Sequence, residues 1–179
     1  EIRRYDEILD LGFGTGFPLF ELAHTFGPSV NVTGLDVWKE AAQRALVKQK
    51  LYELPNARLI LGDGARQPFR DKTFDLIVSN IGVNNFEEPL VVLKECFRVA
   101  RRGAKIVLTT NVKGHYKEFY DEYEKVLKDA GKEQCMERLR ANEEHRGTRE
   151  SVCELLRDAG FEVGKIVVVA VEVQRARQL

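Results

Sequence analysis

The chain is short of several things, and each shortage removes a class of protein. It has three cysteines, Cys96, Cys135 and Cys153, with no CxxC pair among them. An odd, dispersed set argues against a disulfide framework or a zinc site, and in favour of free thiols in a reducing compartment. All three sit in helical-looking apolar patterns and are expected to be buried. There is no net charge: 28 Lys+Arg against 28 Asp+Glu, so 28 − 28 leaves zero. Without a broad basic field, gripping nucleic acid or an anionic membrane is not the expected main task. Long apolar runs are missing too. Ile166–Val171 is the longest, far below the roughly 18 residues of a membrane helix. The first residues show no charged segment leading into an apolar one, so no secretory signal is read and the cytoplasm is the expected location.

What is present is ordinary globular composition, 44% hydrophobic and 31% charged over 179 residues, a length suited to one domain. Apolar runs of strand length alternate with helical periodicity. Tyr5–Leu11, Val30–Val37, Ala57–Leu61, Phe74–Ser79 and Lys105–Thr110 read as strands, with Phe161–Val173 as a sixth. Helices are expected over Pro18–Phe26, Glu40–Glu53, Glu88–Arg101 and Arg149–Ala159, the last capped by Thr148 and ended by Gly160. Nearly continuous Val/Ile/Leu strands separated by helices imply a parallel sheet covered on both faces. Between about residues 112 and 147 a charge-rich helical insertion replaces the short crossover expected there.

Four features fall at the carboxyl ends of successive strands, where ligands of open α/β sheets bind. The first strand runs into Asp10-Leu11-Gly12-Phe13-Gly14-Thr15-Gly16, and a helix follows at once. Glycines there allow a sharp turn and a close approach to a ligand at a helix N-terminus. Asp36 ends the second strand, placed to accept from a ribose diol. Asp63 follows the third within Gly62-Asp63-Gly64, and Ser79-Asn80 ends the fourth. Taken singly, each has a bland reading as a turn, a cap or a loop residue. Taken together they describe one crevice lined for a nucleoside.

The kind of nucleoside is constrained. A dinucleotide loop, G-x-G-x-x-G, would need glycine where Phe17 stands, and no GK[ST] phosphate loop occurs. A carboxylate at Asp10 suits a ligand with a positive amino end better than a pyrophosphate. An adenosine carrying an amino acid and no phosphates fits best.

These segments resemble, in order, the motifs of class I S-adenosylmethionine-dependent methyltransferases. Asp10–Gly16 is similar to their first motif, Gly34-Leu35-Asp36-Val37 to the second, Gly62–Phe69 to the third and Phe74–Asn80 to the fourth. Phe97–Ala104 resembles the segment before their fifth strand, and the group approached most nearly acts on small molecules, quinones and sterol-like substrates. The resemblance implies a Rossmann-like, doubly wound, mostly parallel sheet with helices on both faces. It also implies roles. The Gly12, Gly14 and Gly16 turn would pass under the methionine portion and ribose, with Asp10 behind it. Asp36 would take the ribose hydroxyls and Val37 would pack on adenine. Asp63 would accept from the adenine amine, with Gly64 or Ala65 near the ring, and Asn80 would lie by the amino-acid end and the methyl group.

That family usually has a seventh, antiparallel strand and often a leading helix. The seventh strand is expected to be absent here, and the chain reads as trimmed at both ends. The insertion at about 112–147 is the expected lid, with Phe119, Tyr120 and Tyr123 as an apolar wall. No catalytic residue is assigned. His115, Tyr116 and the amides of Asn84-Asn85-Phe86 stand near the acceptor side, and His24 and His145 read as structural or exposed. The implied partner is a small-molecule acceptor, with a homodimer left open and no metal expected. A non-catalytic S-adenosylmethionine or S-adenosylhomocysteine sensor is the alternative function.

Overall fold

The computed structural model describes residues 7–144 and 146–168. Among them five strands form one parallel sheet: β1 (Glu7–Leu11), β2 (Asn31–Asp36), β3 (Ala57–Leu61), β4 (Phe74–Asn80) and β5 (Ala100–Thr109), in spatial order β3-β2-β1-β4-β5. The strand order reverses between β1 and β4, which makes the carboxyl ends of those two strands the switch point of the sheet.

Side chains alternate across a strand, and β1 shows the consequence. Ile8 joins an apolar layer with Phe13, Leu19, Phe20, Ala23, Val32, Ala42 and Ala45. These bring in α1 (Phe17–Phe26) and α2 (Lys39–Tyr52) on one face. Leu9 and Leu11 join Leu35, Ile77, Val92, Cys96 and Val99 on the other, beneath α3 (Pro89–Val99). Burying each such Leu, Ile or Val contributes about 1.5–3 kcal/mol, and loading both faces is what fixes a parallel sheet in the middle of the molecule. Helices α1 and α3 carry proline at their first positions, where the missing N–H costs no hydrogen bond.

Three expectations need correction. The fifth strand starts at Ala100, because the chain leaving α3 pairs at once with the start of β4. Lys72 N–H donates to Arg98 O and Thr73 N–H to Val99 O. A register shift follows, Phe74 pairing with Ala100 but Leu76 with Lys105. Gly103 takes φ +81° inside that bulge. The expected sixth strand is not formed over its described part, residues 161–168. Ile166, Val167 and Val168 are exposed there, with no ladder to bury them; residues 169–173 lie outside the described residues. Finally, Cys96 and Cys153 are buried, but Cys135 is exposed in a short 3₁₀ turn between helices.

The insertion folds as α4 (Lys117–Asp129) and α5 (Met136–Glu144). Its neck is stitched by Lys113 N–H donating to Gly147 O at 2.9 Å. Arg146 donates to His115 O and to the Tyr120 hydroxyl, with its guanidinium 5.3 Å from the Tyr120 ring centre. Helix α6 (Arg149–Asp158) follows, capped by the Thr148 hydroxyl accepting from Ser151 N–H.

Candidate functional site

The turn after β1 is built from left-handed backbone. Gly12, Gly14 and Gly16 have φ of +74°, +53° and +89°, a region where other residues pay in steric strain. The two outer glycines are held: Gly12 N–H donates to Leu35 O, and Gly16 N–H to Phe13 O. Gly14 differs. A side chain there would meet no atom within 4 Å, so the backbone at this point faces an open space. Its N–H donates to Asp36 Oδ2 at 2.7 Å, while Asp36 Oδ1 accepts from Trp38 N–H at 2.8 Å. The glycine turn and the acid at the end of β2 therefore meet.

Asp10 lies fully buried in β1, and neither carboxylate oxygen has a hydrogen-bond partner among the described residues. Burial pushes its carboxyl up to about 7; the Leu19 amide favours ionisation without reaching hydrogen-bond geometry, and the Asp36 charge raises the value further. A buried acid left unpaired costs stability.

On the β3 side, Gly62 N–H donates to Asp36 O, and Asp63 Oδ1 accepts from Ala65 N–H at 2.8 Å. That contact caps a 3₁₀ turn over Gly64–Arg66. Val37 and Trp38 are 70% and 59% exposed beside Asp36, which leaves an apolar surface next to the polar pair. On the β4 side, Ser79 Oγ donates to Leu11 O at 2.7 Å, and Gly82 packs near Gly12. Asn80 is turned toward β5, its Oδ1 accepting from the Thr109 hydroxyl. Asp10, the three glycines, Asp36, Val37, Asp63, Gly64, Ala65 and Asn80 thus share the carboxyl edge of the sheet, and the hydrogen bond from Gly14 to Asp36 is the one described among them that links two different strand ends.

Other features had no sequence signal. Lys48 of α2 donates to Thr15 O at 3.1 Å and braces the glycine turn. Ile81 takes φ +60°, an outlier for a β-branched residue, with its N–H shared between Thr109 O and Oγ1. The amides near the acceptor side are engaged: Asn84 Nδ2 donates to Asn111 O, and Asn85 Nδ2 to Ile81 O. The His115 ring lies 4.0 Å from that of Tyr116 at the neck, tilted by 45°, and His24 is exposed on α1. His145 lies outside the described residues.

A family model for a methyltransferase domain matches residues 9–108, more than half of the chain and the whole of the crevice just described. The chain belongs to this methyltransferase family. Its fold is the Rossmann-like class I arrangement of that family. The demethylmenaquinone methyltransferase of Geobacillus sp. (strain WCH70) is 37% identical over 106 residues, covering 59% of this chain and 45% of that protein. The demethylmenaquinone methyltransferase of Lactococcus lactis is 37% identical over 100 residues, covering 56% and 40%. The methyltransferase-family chain therefore spans less than half the length of these curated relatives. Among solved structures, a SAM-dependent methyltransferase from Aquifex aeolicus superposes with TM-score 0.73 at 25% identity, over 92% of this chain and 76% of that one.

The residues fit an aminoacyl nucleoside without phosphates. Gly14 offers an uncovered backbone, Asp10 an unpaired buried acid, and Asp36 a carboxylate with lone pairs beyond the two it uses.

Proposed function

We propose that this chain binds S-adenosylmethionine in the crevice at the β1–β4 switch point and transfers its methyl group to a flat, apolar small molecule. The observation that supports the reading is the 2.7 Å bond between Gly14 N–H and Asp36 Oδ2, by which the open glycine turn and a carboxylate suited to a ribose diol lie at one point. Asp36 would take the ribose diol, Val37 would cover adenine, and Asp63 would accept the adenine amine beside Gly64 and Ala65. Asp10 would face the amino group through the turn formed by Gly12, Gly14 and Gly16, with Asn80 near the reacting end.

When bound, S-adenosylmethionine supplies a methyl carbon already activated by its sulfonium. The task left to this chain is to align an acceptor and exclude water, and positioning alone lowers a barrier by up to about 7–11 kcal/mol. A general base is required only where the acceptor must lose a proton.

The acceptor class is supported by the relatives' printed names, which point to a quinone-type ring, and by α4. Phe119 and Tyr123 stack at 5.7 Å with 20° between their planes, and both are exposed. We read the α4–α5 arm as the cover of the acceptor, closing over the sheet from its neck at Lys113 and Gly147. Calorimetry with S-adenosylmethionine, S-adenosylhomocysteine and NAD tests the cofactor: the first two are expected to bind and the third not. Incubation with a demethylated naphthoquinol, followed by mass spectrometry, tests the transfer. Binding of S-adenosylhomocysteine with no methylated product from any quinol would favour a sensor.

A further inference from the structure

The loop that carries Asp63 is held from beneath by α3. Gln67, 4% exposed, closes the 3₁₀ turn by donating from Nε2 to Gly64 O at 3.2 Å. Its backbone N–H donates to Glu95 Oε2 at 2.9 Å, and its carbonyl accepts from Arg98 Nη2 at 3.1 Å. Arg98 goes on to donate to Phe69 O at 2.9 Å, to Asp71 Oδ1 at 2.7 Å and to both oxygens of Glu95. One guanidinium therefore binds two backbone carbonyls and two carboxylates, a set that only a planar fork can satisfy. Glu95 is held as a carboxylate, its pKa lowered chiefly by the Arg98 hydrogen bond.

Free loops vary in position, and a loop that reads a base must be rigid to discriminate. We propose that Arg98, acting through Glu95 and Gln67, is the positioning residue that sets adenine selectivity by fixing the Gly62–Gln67 loop. This rests on the reading of Asp63 as the acceptor of the adenine amine. Arg98 touches neither Asp63 nor the crevice. Its reach is relayed: guanidinium to the Gln67 carbonyl, Gln67 amide to Gly64 O, and Asp63 to Ala65 N–H across the same turn. A lysine keeps the charge but cannot hold four acceptors together, so it should loosen the loop without unfolding α3.

Calorimetry compares S-adenosylhomocysteine with S-inosylhomocysteine, which differ at the group Asp63 would read. The wild-type chain is expected to prefer the adenine form at least tenfold. In Arg98→Lys and Asp71→Asn that preference should fall, at least fivefold in the former and less in the latter, with the affinity for the inosine form nearly unchanged. Circular dichroism melts check that the variants remain folded. If the wild type shows no preference, the reading of Asp63 fails and takes this proposal with it. If the wild type discriminates and both variants discriminate equally well, or both lose the two ligands in parallel, Arg98 is merely structural and the proposal is overturned on its own.

Discussion

The backbone N–H of Gly14 donates to the carboxylate of Asp36 across 2.7 Å, tying the turn after β1 to the end of β2. Residues 22 positions apart in the chain thereby present one backbone and one carboxylate to the same space. Substituting alanine at Asp36 removes the acid and releases the turn. S-adenosylhomocysteine affinity is expected to fall at least tenfold, about 1.4 kcal/mol, measured by calorimetry. An unchanged affinity would remove the basis of the proposed site.

Gly14 and Gly16 should separate binding from folding. A methyl at Gly14 meets nothing within 4 Å, whereas one at Gly16 would lie 2.2 Å from the Phe20 ring. Gly14→Val is expected to lose ligand affinity more than tenfold, with a stability loss of about 1–2 kcal/mol from its left-handed backbone. Gly16→Ala, by contrast, should unfold at markedly lower denaturant through overpacking in addition to strain. Urea melts alongside calorimetry distinguish the two, and equal effects on both readouts would contradict the assignment.

Asp10 gives a pH signature. In the unfolded chain its carboxyl ionises near 3.8, whereas burial holds the proton in the folded chain up to about 7. Between those values the folded state binds more protons than the unfolded state, so stability falls as pH rises. The contribution is complete below pH 3.8 and lost as pH passes 7. Asp10→Asn should remove this slope and stabilise the ligand-free chain at pH 8 by up to about 4 kcal/mol, with the advantage shrinking toward pH 4. The same variant is expected to bind S-adenosylmethionine more weakly, and to lose any strengthening of binding between pH 6 and pH 8. A wild-type melt flat across this range would contradict the buried, unpaired carboxyl.

Arg146 ties the arm to its neck through His115 O and the Tyr120 hydroxyl. Arg146→Ala should raise hydrogen exchange within α4 several-fold while leaving the exchange of β1 and β4 unchanged. If the arm is the acceptor's cover, the acceptor KM rises in this variant and S-adenosylhomocysteine affinity does not move.

Much of the cofactor side was legible because its residues are constrained locally. Glycines at a strand end, and acids just beyond strands, follow from turn chemistry and from the geometry of parallel sheets. Those grounds bring the glycine turn and Asp36 to one edge of the sheet, while the bond between Gly14 N–H and Asp36 Oδ2 is visible only in the structure. Less legible was anything decided by distant packing. The register shift between β4 and β5 arises because Ala100 pairs with Phe74 immediately after α3, and helical periodicity through Arg101 hides it. The Lys48 brace, the left-handed Ile81 and the backbone carbonyls held by Arg98 involve neighbours 28 to 33 residues away, which no local pattern encodes. Cys135 misled for a related reason: its apolar spacing belongs to a helical arm that leaves it exposed.

The narrow stem at Lys113 and Gly147 has an architectural consequence. Helices α4 and α5 leave and rejoin the fold at this stem, and neither contributes a rung to the β ladder. Grafting a different arm onto this base should redirect which compound is methylated while the donor continues to bind as before. On the proposed reading, donor and acceptor are held by separable parts of one chain.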